Sequence, residues 1–293
     1  MRFLDRWLRP RVDTEKNILL TGVPRSGTTL ACHLLNGLEN CVALHEPMEV
    51  RDLIAEPDGQ KRLQQIHTFL HSNRKLIQNK GRAISIHRDG KVPQNPVVES
   101  KDKSAPRKLD VSRGEIEITG DFSDESLLVI KHPAIFTALL PLLTSEFKVF
   151  AVIRNPISVL GSWMTVPFGM SEGHAPAAEG VDEKLRTGLA DIDDVLQRQL
   201  YLLDWFFEQY RTHLAAENIL KYEDVVASAG RALAVIAPNA TDLNEVLKSR
   251  NKSKIYDADA MDRAGEALLA TDGAYWDFYS KDDVRAVLDA ASE

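Results

Sequence analysis

NILLTGVPRSGTTLACHLL, residues 17 to 35, decides the fold. The apolar run 17 to 22 reads as a short strand, and Leu30, Leu34 and Leu38 follow it at helical spacing, so the segment is strand, glycine loop, helix. Gly22 and Gly27 hold the two glycine positions of a phosphate-binding G-x-x-x-x-G-K-[ST] loop, yet Thr28 stands where the lysine belongs. In such a loop, backbone N–H groups and the positive end of the helix cradle phosphate oxygens, and glycine lets the backbone approach closely. Here the side-chain cation lies inside the loop as Arg25, and Ser26, Thr28 and Thr29 offer hydroxyls. A planar guanidinium is suited to gripping a terminal anionic oxygen.

Outward from this loop the chain alternates strands and helices. CVALHEP (41 to 47) reads as a second strand stopped by Pro47, and residues 51 to 80 read as polar helix. SLLVIKHP (126 to 133) and FKVFAVI (147 to 153) are apolar strands of the kind that run inside a parallel sheet. After the second of these, Asn155 is placed as a helix N-cap and Pro156 as the first helical residue. A Gly, Pro and Ala-rich loop covers 167 to 180. Leu196, Leu200, Leu203, Phe207, Tyr210 and Leu214 then mark the apolar stripe of a long helix, and NILKYEDVV (218 to 226) gives a last strand and turn. The expected fold is α/β, three layers, with a mostly parallel central sheet and helices on both faces. Residues 81 to 126, rich in turn formers and with Asp89-Gly90 as a hairpin signal, read as an insertion within a single domain spanning 1–293, because they hold too few apolar residues for a core of their own.

The 293 residues are 44% apolar, enough for a sizeable core, and the formal net charge of −7 argues against nucleic acid as a partner. Thirteen Lys and Arg against four acids between Lys61 and Arg113 give that segment +9 and leave −16 for the rest. Such a segment is either a solvated basic face or a funnel for an anionic ligand. No run approaches 18 apolar residues, and the charged N-terminus lacks the apolar core of a signal peptide, so the expected location is cytoplasmic, with no transmembrane segment. Cys32 and Cys41 form neither a disulfide framework nor a zinc set and read as buried thiols.

Arg154 sits at the carboxyl end of a central strand, on the sheet edge that carries the first loop, and Ser162 lies eight residues on. PRSGTT followed by a strand and then RNP, with this Arg and Ser, resembles the sulfotransferases that use 3′-phosphoadenosine 5′-phosphosulfate (PAPS). The resemblance covers residues 17 to 50, 126 to 164 and 218 to 226. It implies that Pro24, Arg25, Ser26, Gly27, Thr28 and Thr29 bind the 5′-phosphosulfate and that Arg154 and Ser162 bind the 3′-phosphate. KHP (131 to 133) is similar to the family segment whose lysine holds the sulfuryl group, and KYEDVV (221 to 226) to a Tyr-Glu-Asp turn. KSRNKSK (248 to 254) stands where the family has a basic 3′-phosphate loop, which implies Arg250 and Lys252 as further ligands, although the family's Arg-Lys-Gly form is absent.

The implied activity is transfer of a sulfuryl group from PAPS to a hydroxyl or amine. The acceptor is a small molecule, carbohydrate or lipid, anionic if the basic segment meets it, and the donor needs no metal where side chains neutralise it. A small-molecule kinase or other P-loop NTPase, and a non-catalytic nucleotide-binding relative, are the alternatives. Glu223 and Asp224 would be metal ligands in the first of these and helix-capping residues otherwise. Arg25 and Lys131 would neutralise the moving group, and Glu46 and His132 compete as the base that takes the acceptor's proton. Successive side chains of an extended segment point to opposite sides, so a Lys131 directed at the sulfuryl group turns His132 away and favours Glu46.

Overall fold

The computed structural model describes residues 12–98, 108–166, 169–252 and 256–289. Its strands are β1 (Asn17–Gly22), β2 (Cys41–His45), β3 (Arg82–His87), β4 (Val97–Val98), β5 (Lys108–Leu109), β6 (Ser112–Glu117), β7 (Leu127–Lys131), β8 (Lys148–Ile153) and β9 (Ile219–Lys221). The five apolar ones form one sheet of order β2-β7-β1-β8-β9, parallel throughout. β1 lies in the middle and is buried at every position. A strand buried on both faces has no polar alternation to display, and this is why these runs are nearly continuous in apolar residues.

Helices cover the sheet: α1 (Thr28–Leu35), α2 (Val50–Ala55), α3 (Gly59–Lys80), α4 (Pro133–Ala138), α5 (Leu140–Leu143), α6 (Pro156–Trp163), α7 (Pro176–Glu179), α8 (Glu183–Ala190), α9 (Val195–His213), α10 (Tyr222–Ala227), α11 (Ala258–Leu269) and α12 (Lys281–Asp289). The architecture is the expected α/β one. Because the strands run the same way, the chain leaves Gly22, His45, Lys131, Ile153 and Lys221 along one edge of the sheet. The crevice beyond that edge is where open α/β sheets take their ligands.

Several boundaries differ from the sequence reading. The second strand stops at His45, two residues short of Pro47, and the stretch 51 to 80 is two helices, broken around Pro57 where proline removes a helix donor. Asp89 and Gly90 do turn the chain, both at positive φ, but the turn closes only the Arg88–Lys91 bridge. The strand before it pairs instead with β6, His87 opposite Ser112. This β3–β6 ribbon packs on β2 and α3 and contributes Ala83 and Ile116 to the core.

Candidate active site

The first loop is held from three sides. Ser26 donates its hydroxyl to the Val152 carbonyl of β8 at 2.6 Å, and Trp163 of α6 donates its indole N–H to the Pro24 carbonyl at 2.8 Å. Gly27, at φ 98°, lies flat on Tyr222: a Cβ there would come within 2.6 Å of the ring. Ser26 is therefore not a ligand-facing hydroxyl, in contrast to the expectation; it is fully buried and fastens the loop to the sheet. Thr28 and Thr29 line the cavity, and with Leu30 they form the first turn of α1, where amide N–H groups have no intrahelical acceptor.

The second turn is built as its sequence suggests. Asn155 accepts from the Ile157 amide through its side chain, and Pro156 opens α6. Beneath it, Glu223 accepts from the Asn155 amide at 3.1 Å, from Asn251 Nδ2 at 2.7 Å and from the Tyr279 hydroxyl at 2.8 Å, so this carboxylate braces the turn instead of capping a helix. Arg154 is buried and stacks over the Tyr222 ring at 4.8 Å. Its guanidinium donates to Asn251 Oδ1 at 2.7 Å, to the Arg25 carbonyl at 3.1 Å and to the Arg250 carbonyl. Arg25, at φ 76°, donates from its side chain to Ser162 Oγ at 3.3 Å and Asn95 Oδ1 at 3.2 Å. Arg25 therefore ties the first loop to the second turn.

That far end holds Glu46 and Lys131. Lys131 Nζ donates to Glu46 Oε1 at 2.7 Å and to Thr29 Oγ1 at 3.4 Å. Burial pushes the Glu46 carboxyl up, but Lys131 and the His45 contact outweigh it and hold the group well below the usual carboxylate range. His132 is elsewhere. Its Nε2 accepts from the Met48 amide at 3.1 Å, its ring packs edge-on against Phe136, and it does not line the cavity. Burial drives its pKa down to about 3, with Lys131 adding to the effect against the pull of Glu46. The structure thus removes His132 from the site and keeps Glu46, because adjacent residues of the strand end face opposite ways.

A cavity of about 920 Å³ unites both turns, Glu46 and Lys131. Seven Lys and Arg side chains line it against one carboxylate, Glu46. Arg250 and Lys252 are among them, together with Lys248, so the 248 to 252 segment meets the two turns in space. Among the described cations between 61 and 113, Arg113 alone lines it, and that guanidinium is occupied by Glu49 and the Pro47 carbonyl. Arg74 is buried and bonds the carbonyls of Lys16 and Ser126, Arg88 pairs with Asp110, and Lys101, Lys103 and Arg107 lie outside the described residues. Among the described residues the positive cavity is thus assembled from cations scattered through the sequence, from Arg25 to Lys252. Tyr222 and Asn251 are the hubs: the first belongs to the KYEDVV turn and the second to the 248 to 254 segment, but the sequence reading singles out neither as a site residue.

Cys32 and Cys41 are free and buried, and burial pushes both thiols up to about 12. Among the described residues there is no cluster of three or more metal-ligating side chains, and no helix is long and apolar enough to cross a membrane.

No protein-family model and no curated protein matches the chain. Among solved structures it is similar to the sulfotransferase domain from the curacin biosynthetic pathway, at 15% identity over 96% of this chain and 90% of that one, TM-score 0.41. It is also similar to the sulfotransferase domain of a Synechococcus olefin synthase, at 13% identity over 97% and 96% of the two chains, TM-score 0.38. A sulfotransferase from Mycobacterium tuberculosis is similar at 12% identity over 99% of this chain and 80% of that one, TM-score 0.32.

Proposed function

We propose that the protein transfers the sulfuryl group of PAPS to the hydroxyl of an acceptor with an apolar body. The observation that carries this reading is the meeting of two anion-reading turns, Arg154 with Ser162 and the Pro24–Thr29 loop, in one cavity with seven cations and a single carboxylate at its far end. A nucleotide bearing charge at two ends of its ribose has use for both turns, whereas a triphosphate needs one. The residues fit such a donor: amides of the first turn of α1 with Thr28 and Thr29 for the 5′ end, and Arg154, Ser162 and the 248 to 252 segment for the 3′ end.

When bound, the donor supplies an electrophilic sulfur. Lys131, held beside Thr29, neutralises charge on the transferred group, and Glu46 takes the acceptor's proton as the acceptor oxygen bonds to sulfur and the sulfur–oxygen bond to the phosphate breaks, releasing adenosine 3′,5′-bisphosphate. On the acceptor side the 81 to 126 segment offers Ile86, Pro96, Leu109 and Val111, an apolar wall.

Thermal unfolding with ligands tests the donor half. Adenosine 3′,5′-bisphosphate at a hundred times its dissociation constant should add about 2.7 kcal/mol of apparent stability, and adenosine 5′-monophosphate at the same concentration far less. Stabilisation by ATP with Mg²⁺ that exceeds that of the bisphosphate would overturn the assignment. Sulfation of 1-naphthol or 1-octanol from labelled PAPS, set against a panel of saccharides, tests the acceptor half; a saccharide as the preferred acceptor would refute the apolar reading.

A further inference from the structure

An unbroken β2 would send Glu46 to the side opposite His45. Glu46 instead adopts φ 47°, a left-handed conformation that a residue before proline rarely takes, and its amide donates to the Lys131 carbonyl at 2.8 Å. The reversal brings its carboxylate back over the end of the sheet. There His45 Nε2 lies 3.2 Å from Oε1, the same oxygen that Lys131 Nζ reaches at 2.7 Å. His45 and Lys131 are register partners across the parallel β2–β7 pair, so their side chains share a face. Oε2 has no hydrogen-bond partner among the described residues, and Glu46 lines the cavity with its side chain 36% exposed.

A carboxylate only accepts, so in this contact His45 Nε2 carries the proton, and on the neutral ring that burial and Lys131 favour Nδ1 is a bare lone pair. Nδ1 is buried with no partner, on a ring that is almost wholly enclosed. Leaving a buried polar atom unpaired costs about 1–3 kcal/mol, a cost that an apolar residue at this strand end would avoid. We infer that His45 is a positioning residue: its Nε2–H, with Lys131, pins Oε1 of Glu46 and leaves Oε2 as the oxygen that meets the acceptor's proton. The inference rests on the reading of Glu46 as the base.

The titratable groups close enough to act on Glu46 are Lys131 from β7 and His45 from β2, which contact it, and His132 before α4 and the Cys32 thiol from α1, which act on it only electrostatically; Arg113 from β6 bonds the Pro47 carbonyl. The buried Cys32 and His132 are uncharged at neutral pH, and His45 is the neighbour whose removal leaves the Lys131 contact in place. Loss of the His45 hydrogen bond should therefore raise the Glu46 carboxyl toward the ordinary range, because it takes away a donor that favours the ionised form.

The test is a carbon-13 carboxyl titration by NMR of protein labelled at Glu side chains, with Glu46→Gln to assign the resonance, on His45→Ala, His45→Leu and His45→Gln. Ala and Leu should move the Glu46 titration to higher pH and lower kcat with 1-naphthol at least tenfold, at bisphosphate affinity within threefold. Gln, which can place an amide donor where Nε2 sits, should restore most of both. The volume-filling Leu variant keeps the test in hand if Ala does not fold. A Glu46 titration that stays where it is in Leu and Gln alike, or a kcat within twofold of the parent in Leu, overturns the positioning role. Failure of the parent protein to bind adenosine 3′,5′-bisphosphate overturns the sulfotransferase reading instead, and is measured without acceptor.

Discussion

Arg154 and Arg25 cross: Arg154 donates to the main-chain carbonyl of Arg25 at 3.1 Å, while the Arg25 side chain passes the other way to reach Ser162 on the helix that Arg154 precedes. Each of the two turns is thus partly built by the other. A cation that lines the cavity while bracing a neighbouring loop couples the two turns, since perturbing one loosens the other.

Arg154→Ala should accordingly weaken adenosine 3′,5′-bisphosphate by more than tenfold, as expected for loss of charge-assisted hydrogen bonds worth about 1.5–3 kcal/mol. Adenosine 5′-monophosphate, which lacks the 3′ group, should lose much less. Calorimetric titration of both nucleotides against both proteins gives the ratio, and equal losses would count against the 3′ assignment.

Gly27→Ala places a methyl 2.6 Å from Tyr222 Cδ2 at a backbone φ of 98°. Both the clash and the left-handed conformation oppose it, so a destabilisation on the order of 2 kcal/mol or more is expected. Combined with Tyr222→Leu, part of the penalty should vanish, because the clash goes and the backbone strain stays. A double-mutant cycle by urea unfolding separates the two, and full additivity would show that Tyr222 is not the obstacle.

Glu46→Gln should lower kcat by about 10²- to 10⁴-fold, the usual range for a general base, with bisphosphate affinity within a few fold. His132→Ala should do the reverse: little change in kcat, and a loss of about 1–3 kcal/mol in stability as the Met48 amide loses its acceptor. Steady-state rates and unfolding curves on the two variants decide between them.

Acid should destabilise the protein well above the carboxylate range. The folded pKa of His132, about 3, lies below the value of about 6.5 for an unfolded histidine, so the unfolded chain takes up the proton first as pH falls. The contribution of His132 to stability should therefore decline from about pH 6.5 downward, by about 1.4 kcal/mol per pH unit once well inside that window, and level off near pH 3. His45, depressed chiefly by burial and also by Lys131, adds to the decline with the same sign. Glu46, held below the usual range, contributes only at pH below that of a free carboxylate. His132→Gln should flatten the profile between pH 6 and pH 4.5, and an unchanged slope there would contradict its buried neutral state.

What could be read from the sequence was what local chemistry dictates. Gly22 and Gly27 around an apolar strand, and Asn155-Pro156 after another, specify backbone geometry within a few residues, and the structure has both turns where they were expected. Side-chain direction depends on partners far along the chain, and there the sequence misleads. Ser26 reads as a ligand hydroxyl until Val152 of another strand takes it, and nothing near Arg25 announces that its guanidinium donates to Ser162 and Asn95. The strand alternation that turns His132 away would by the same rule separate His45 from Glu46. Only the positive φ of Glu46, which no residue type in HEP announces, brings that pair together.

The strand order has a consequence for what the crevice can accept. Arg154 follows β8 and Glu46 follows β2, and two strands, β1 and β7, lie between those two. At about 4.8 Å per strand spacing, the backbone positions that carry Arg154 and Glu46 are about 14 Å apart along the sheet edge. Hydrogen-bonded strands neither stretch nor compress, so the sheet serves as a gauge block, and a molecule is measured against it by length before any side chain reads its chemistry.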